Sequence, residues 1–83
     1  MNINLIGIYV NNITKNQANE FLIENDIYLN EVEFNYLFKK IKTNYKDILN
    51  EDIQTFKEIK DNISYNSYIK LISLFNNYKK YLN

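Results

Sequence analysis

Lys46-Asp47-Ile48-Leu49-Asn50-Glu51-Asp52-Ile53, written KDILNEDI, crowds three acids and an asparagine into six residues. Such a run is either the oxygen-rich loop of a cation site or the joint between two helices, and the two readings imply different folds. A calcium loop of the EF-hand type takes oxygen ligands at alternate positions, a glycine at its sharp turn and a bidentate Glu at its end. Here no glycine is present, and Ile48 and Leu49 stand where ligands would be needed. The stretch therefore reads as a junction. Asn50 caps a helix, and Glu51 and Asp52 occupy its first turn, where negative charge is favoured by the helix dipole. The same reasoning covers Asp26, Asn30, Glu31 and Glu33, so no metal site is expected.

The pattern recurs along the chain. Asn12-Ile13-Thr14, Asp26-Ile27-Tyr28-Leu29-Asn30, Asp47-Ile48-Leu49-Asn50 and Asn62-Ile63-Ser64 each open with Asn or Asp, continue with Ile and end on a residue able to cap a helix N-terminus. Gln17 follows Thr14 by three residues and Glu33 follows Asn30 by three, the spacing of a capping box. Each Ile is positioned to pack into a core as the chain turns. With no proline, caps alone must stop and start the helices.

Between the junctions the apolar residues recur at helical spacing. Ala18, Phe21 and Leu22 make a short face ending near Asn25. Phe34, Leu37, Phe38, Ile41 and Tyr45 make a long stripe, and Ile53, Phe56 and Ile59 or Ile63 a third face. The last face runs through Tyr68, Leu71, Ile72, Phe75, Tyr78 and Leu82, with Lys79 and Lys80 suited to the C-terminal end of its dipole. No strand alternation persists. The expected fold is all-α: a small bundle of four helices plus a short N-terminal helix, joined by capped short turns, in a single domain over residues 1–83.

Residues 1–11 are the segment expected to dock on that bundle. Ile3, Ile6 and Val10 fall at helical spacing, whereas the branched and aromatic Ile8, Tyr9 and Val10 would also suit a strand. The apolar run from Ile3 to Val10 is about half of a membrane span. It lacks a preceding Lys or Arg and a small-residue cleavage site, so a cytoplasmic chain without a secretory signal is expected.

Composition narrows the chemistry. At 83 residues a single modest core is expected, and 46% apolar with 16% aromatic residues is too rich for a disordered tail. Ten acids balance ten bases, so nothing in the net charge marks a nucleic-acid or membrane surface. The Asn, Ile, Lys, Tyr and Phe bias reads as an AT-rich genome. Without Cys or His, the commonest thiol and imidazole chemistries are absent; the single Gly7 builds no phosphate loop, and without Arg there is no guanidinium clamp. Nor are paired acids set among apolar residues that would raise a carboxyl pKa. No catalytic residue and no cofactor is expected, and the chain reads as non-enzymatic.

The order of motifs resembles the YqfT-like family of small proteins from Bacillus-type bacteria. The likeness runs from about Leu5 to Leu82. It rests on Asn12-Ile13-Thr14, Asn25-Asp26-Ile27-Tyr28-Leu29, the linker from Asn44 to Asn50, Glu58-Ile59, Ile63-Ser64 and Leu74-Phe75. The family often places a basic, glycine-containing turn where this chain has Thr43-Asn44. The resemblance implies an all-helical cytosolic fold and transfers no active site.

Function is then expected to lie in protein–protein interaction, as a cellular accessory factor or as an inhibitor carried by a phage or mobile element. The last helix suggests where. At 100° per residue, its apolar side chains spread over roughly two-thirds of the circumference, about twice what a surface helix needs. Tyr68, Leu71, Ile72 and Phe75 suffice for the core. Leu74, Tyr78 and Tyr81 need a second cover, either the segment Ile3–Val10 or a partner, which would be another protein or a second copy of this chain. The alternative is weak nucleic-acid binding through Lys39, Lys42 and Lys46, which share one face of the second helix, with Lys40 nearby. A solvated face opposite Phe34–Tyr45 explains those lysines equally, and neutral charge disfavours nucleic acid. The eight tyrosines read as half-buried residues with wet hydroxyls.

If the acids serve caps, millimolar calcium or magnesium leaves the circular dichroism and melting temperature unchanged beyond ionic-strength effects. A rise of several degrees with calcium alone would show specific binding to the folded state.

Overall fold

The computed structural model describes the backbone of residues 3–79 and the side chains of residues 7–77. Five helices follow one another: α1 (Ile3–Asn12), α2 (Lys15–Glu24), α3 (Glu31–Leu49), α4 (Ile53–Asn62) and α5 (Tyr65–Lys79), and no strand occurs among the described residues. The N-terminal segment is thus a helix, and its branched residues do not make a strand. The radius of gyration, 12.0 Å, is that of a compactly folded chain of this length, about 12 Å.

Helices α2, α3 and α4 begin on side-chain caps. Thr14 Oγ1 accepts from the Gln17 backbone N–H at 3.1 Å while Gln17 Oε1 accepts from the Thr14 N–H at 3.0 Å. Asn30 and Glu33 exchange the same pair of bonds at 2.8 and 3.1 Å. Both expected capping boxes form. Ser64 precedes α5, and its hydroxyl donates to Ser67 Oγ at 2.8 Å.

The third junction is displaced from the sequence reading. Helix α3 continues through Asp47, Ile48 and Leu49, so Asn50 is the C-cap of α3 and does not start α4. Glu51 then takes a left-handed conformation, with φ at 55°. Its N–H donates to the Ile48 carbonyl and that of Asp52 to the Asp47 carbonyl, which closes a Schellman turn. Only after this turn does a cap appear: Asp52 accepts from the Thr55 N–H at 2.9 Å and from its hydroxyl at 2.8 Å. The left-handed turn consumes Asn50 and Glu51, so neither Glu51 nor Asp52 lies in the first turn of α4. Helix α2 ends alike. Asp26 sits at φ 62°, and the N–H groups of Asp26 and Ile27 donate to the carbonyls of Ile23 and Leu22. Here the turn also joins two core residues, since Leu22 and Ile27 are both buried.

One contiguous core unites Leu22 of α2, Ile27, Leu37 and Ile48 of α3, Ile59 of α4, Ile63, and Leu71 and Leu74 of α5. Ile27, Leu37, Ile59 and Leu71 are almost fully sequestered. Phe34, Ile41, Phe56, Tyr68 and Phe75 pack around them, with Phe56 and Phe75 meeting edge to face at 6.1 Å. Of the four isoleucines that follow junction residues, those at 27, 48 and 63 enter this core, while Ile13 is half-buried and stands outside it. Ile53 does not. As the first residue of α4 after the Asp52 cap it is 86% exposed, and the inward position passes to Thr55, whose hydroxyl is satisfied by Asp52.

Helix α3 carries most of the packing, receiving α1, α2 and α4. It bends at Asn44, whose φ of −127° is non-helical. Thr43 Oγ1 donates back to the Lys39 carbonyl at 2.9 Å, a bond that competes with the helical ladder and bends helices. Asn44 itself donates to Asp47 Oδ2 at 3.1 Å.

Two substitutions separate the caps from the turns. Asp52→Ala lowers the melting temperature more than Asn50→Ala, because only Asp52 accepts from an exposed α4 N–H. Thr14→Ala costs about 0.5–2 kcal/mol. Asp26→Gly raises stability by about 0.5–1 kcal/mol in urea melts, since glycine relieves the left-handed backbone while the chain retains every main-chain bond of that turn.

Candidate functional site

The lysines singled out on α3 do not form a free set. Lys39 and Lys46 are exposed, on the side of α3 opposite Leu37 and Ile48. Lys42 is half-buried. Its Nζ lies 4.8 Å from the centre of the Phe38 ring and donates to the Asn11 carbonyl at 3.4 Å, at the last turn of α1. That placement joins a cation–π contact to the carbonyl end of a helix dipole. Lys40 turns towards α4 and forms an ion pair and hydrogen bond with Glu58 Oε2. Its side chain is 16% exposed and that of Glu58 42%, so the pair is set into the α3–α4 seam.

Among the described residues, the perturbed acids and base lie at this seam. The hydrogen bond to Glu58 raises the Lys40 pKa, against some opposing desolvation. That same bond from Lys40, helped by one from Gln54, lowers the pKa of Glu58. Asp52 is lowered by the bonds from the Thr55 hydroxyl and N–H. Each group is held in its charged form, which suits a structural role; a carboxyl acting as proton donor, or a lysine acting as base or nucleophile, would need the opposite shift. Among the described residues, no three Asp or Glu side chains are grouped to hold a metal ion.

Leu74, expected on an uncovered flank, lies within the core at 7% exposure. Its position follows from α5 register: Ser67, Leu71 and Leu74 share one side of the helix, and all three are buried. Leu74 is therefore removed from the candidate interaction surface. The side chain of Tyr78 and all of Tyr81 lie outside the described residues. What α5 does leave uncovered is a different pair, Tyr65 and Ile69, one turn apart and 62% and 48% exposed. Around the molecule, Ile8 and Tyr9 on α1, Tyr28 before α3 and Val32 in its first turn are exposed as well.

Other contacts were not legible as pairs. Glu33, besides its capping box, accepts from the Ser64 N–H at 2.7 Å and so ties the start of α3 to the start of α5. Lys70 donates to the Asp26 carbonyl at 2.9 Å, holding α5 to the left-handed turn, and Lys15 reaches Asn35 Oδ1 at 3.3 Å. Gly7 lies against Tyr45: a Cβ at position 7 would stand 2.5 Å from the tyrosine oxygen. The only sequence signal for that approach was the isolation of the single glycine within an apolar run.

No family model, curated protein or solved structure matches the chain.

The acid and base shifts fix a pH dependence. Asp52 and Glu58 titrate lower when folded than their ordinary values of 3.8 and 4.5, so their stabilisation is complete above that range and fades as pH falls through the folded values. Lys40 titrates above 10.5 when folded, so its contribution persists below that pH and fades as pH rises through the folded value. Glu58→Gln is expected to lower the melting temperature at pH 7 and shrink its drop between pH 7 and pH 3. An acid limb as steep as that of the unsubstituted protein would place the dependence elsewhere.

Proposed function

We propose that this chain is a non-enzymatic helical module that acts through protein–protein interaction. The observation that carries the reading is the pair Tyr65 and Ile69 on the outer side of α5, exposed while the opposite side of the same helix fills the core. Two large apolar side chains one helical turn apart offer an anchor of the kind amphipathic partners use. Tyr adds a ring that packs and a hydroxyl that tolerates water, which suits a surface alternating between solvent and partner.

The chemistry of the α3–α4 seam supports the non-enzymatic part, because Lys40 and Glu58 stabilise each other in the charged state and Asp52 is held charged by Thr55. Partner classes consistent with the surface are another protein, including the target of a phage or mobile-element inhibitor, or a second copy of the chain. The resemblance to the YqfT-like family is compatible with this reading. The position where that family often carries a glycine-containing turn, Thr43-Asn44 here, coincides with the bend in α3. Binding to nucleic acid through the α3 lysines is the weaker alternative, since two of the four are engaged within the fold.

Affinity capture from the source cells, with the unsubstituted chain and Tyr65→Lys/Ile69→Lys as paired baits, tests the reading; sedimentation of both reports self-association. Loss of one defined partner, or of the dimer, with an unchanged melt supports it. A monomer at every concentration whose captured proteins are the same for both baits rejects it. A salt-dependent shift of labelled oligonucleotide, abolished by Lys39→Gln/Lys46→Gln, would favour the alternative.

A further inference from the structure

The attachment of α1 differs from that of the other helices. Val10 is buried, yet it stands outside the contiguous core that unites α2 to α5. The helix carries no acid in its first turn and no base in its last, so nothing of its own offsets its dipole. Its carboxyl end is instead served by a neighbour, Lys42, through the Asn11 carbonyl. At ten residues it is too short to persist as an isolated helix in water. Its helicity therefore depends on the surface it rests on.

That surface is one side of α3. Phe38, Lys42 and Tyr45 recur at four and three residues and so lie along a single face. Gly7 lets the α1 backbone come against Tyr45, and any side chain at position 7 would have to displace the end of that tyrosine. Only Ile13 and Thr14 separate α1 from α2, and Thr14 is held by Gln17 inside α2. The start of α2 thus stays capped whether or not α1 is docked.

We propose that α1 is a latch: it opens from α3 as one unit while the α2–α5 core stays folded. Opening uncovers Tyr45 and releases Lys42 from Asn11, which places Lys42 beside the exposed Lys39 and Lys46. The docked helix keeps the Tyr45 ring and that lysine occupied. The latch is independent of the Tyr65–Ile69 reading, because it concerns a different face on a different helix.

Native-state hydrogen exchange of the full chain, followed by NMR across low denaturant concentrations, tests this directly. The amides of Val10, Asn11, Asn12 and Ile13 are expected to share one opening equilibrium with a shallow denaturant slope. Their protection should be at least roughly tenfold below that of Leu37, Ile59 and Leu71. Gly7→Val should abolish α1 protection and shift the Phe38, Lys42 and Tyr45 resonances while the core amides keep their protection. Two results overturn the latch: the α1 amides exchanging with the same free energy and slope as the core, or a graded loss from the N-terminus with Val10 to Ile13 protected like the core. Should Gly7→Val fail to fold, α1 is part of the cooperative unit and the latch is likewise rejected.

Discussion

A chain with no proline and a single glycine has to end its helices by other means, and the fold depends on how it does so. Side-chain acceptors at Thr14, Asn30 and Asp52 satisfy the N–H groups that a helix start leaves without partners. At two helix ends the chain turns through left-handed backbone on Asp26 and Glu51, residues that accept this conformation at a steric cost glycine would avoid. The connections that hold these turns run only from Asn25 to Asn30 and from Asn50 to Asp52. The five helices can therefore fold back around one small core without long connections.

The second layer of organisation is polar. Lysines 15, 40, 42 and 70 each bond to an atom of another helix or turn, and Glu33 links two helix starts. In a core this small, such cross-links orient the helices that the buried isoleucines and leucines hold together. Bases that would otherwise gather into a patch on α3 are distributed among internal partners, and Lys40 and Glu58 keep each other charged within their seam.

What remains outward is apolar as much as it is basic. Tyr65 and Ile69 on α5, and Ile8 and Tyr9 on α1, stay at the surface because the faces behind them are already used by Leu71 and Leu74 and by Gly7 and Val10. A helix rich in apolar residues all round cannot bury every side in a body of five short helices. The excess is where recognition can act, and α1, held on α3 outside the main core, is where the protein can most easily change shape.

The sequence by itself determined the class and most of the outline. Period-3.6 apolar spacing announced helices, the Thr14–Gln17 and Asn30–Glu33 pairs announced their starts, and Ile27, Ile48 and Ile63 were legible as core because each follows a polar junction residue. These are local relations, and the local backbone enforces them. Only the tertiary structure decided the rest. Whether α4 starts after Asn50 or after Asp52 turned on a left-handed residue that carries no glycine to mark it, and the shift exposed Ile53 while burying Thr55. Whether Leu74 faces a partner or the core turned on which third of a broadly apolar helix meets Leu22, Leu37 and Ile59, something a circumference of similar residues cannot encode. The pairings of Lys40 with Glu58, Lys42 with Asn11 and Gly7 with Tyr45 join residues 18, 31 and 38 positions apart. No local pattern fixes such distances, because they are set by how whole helices pack.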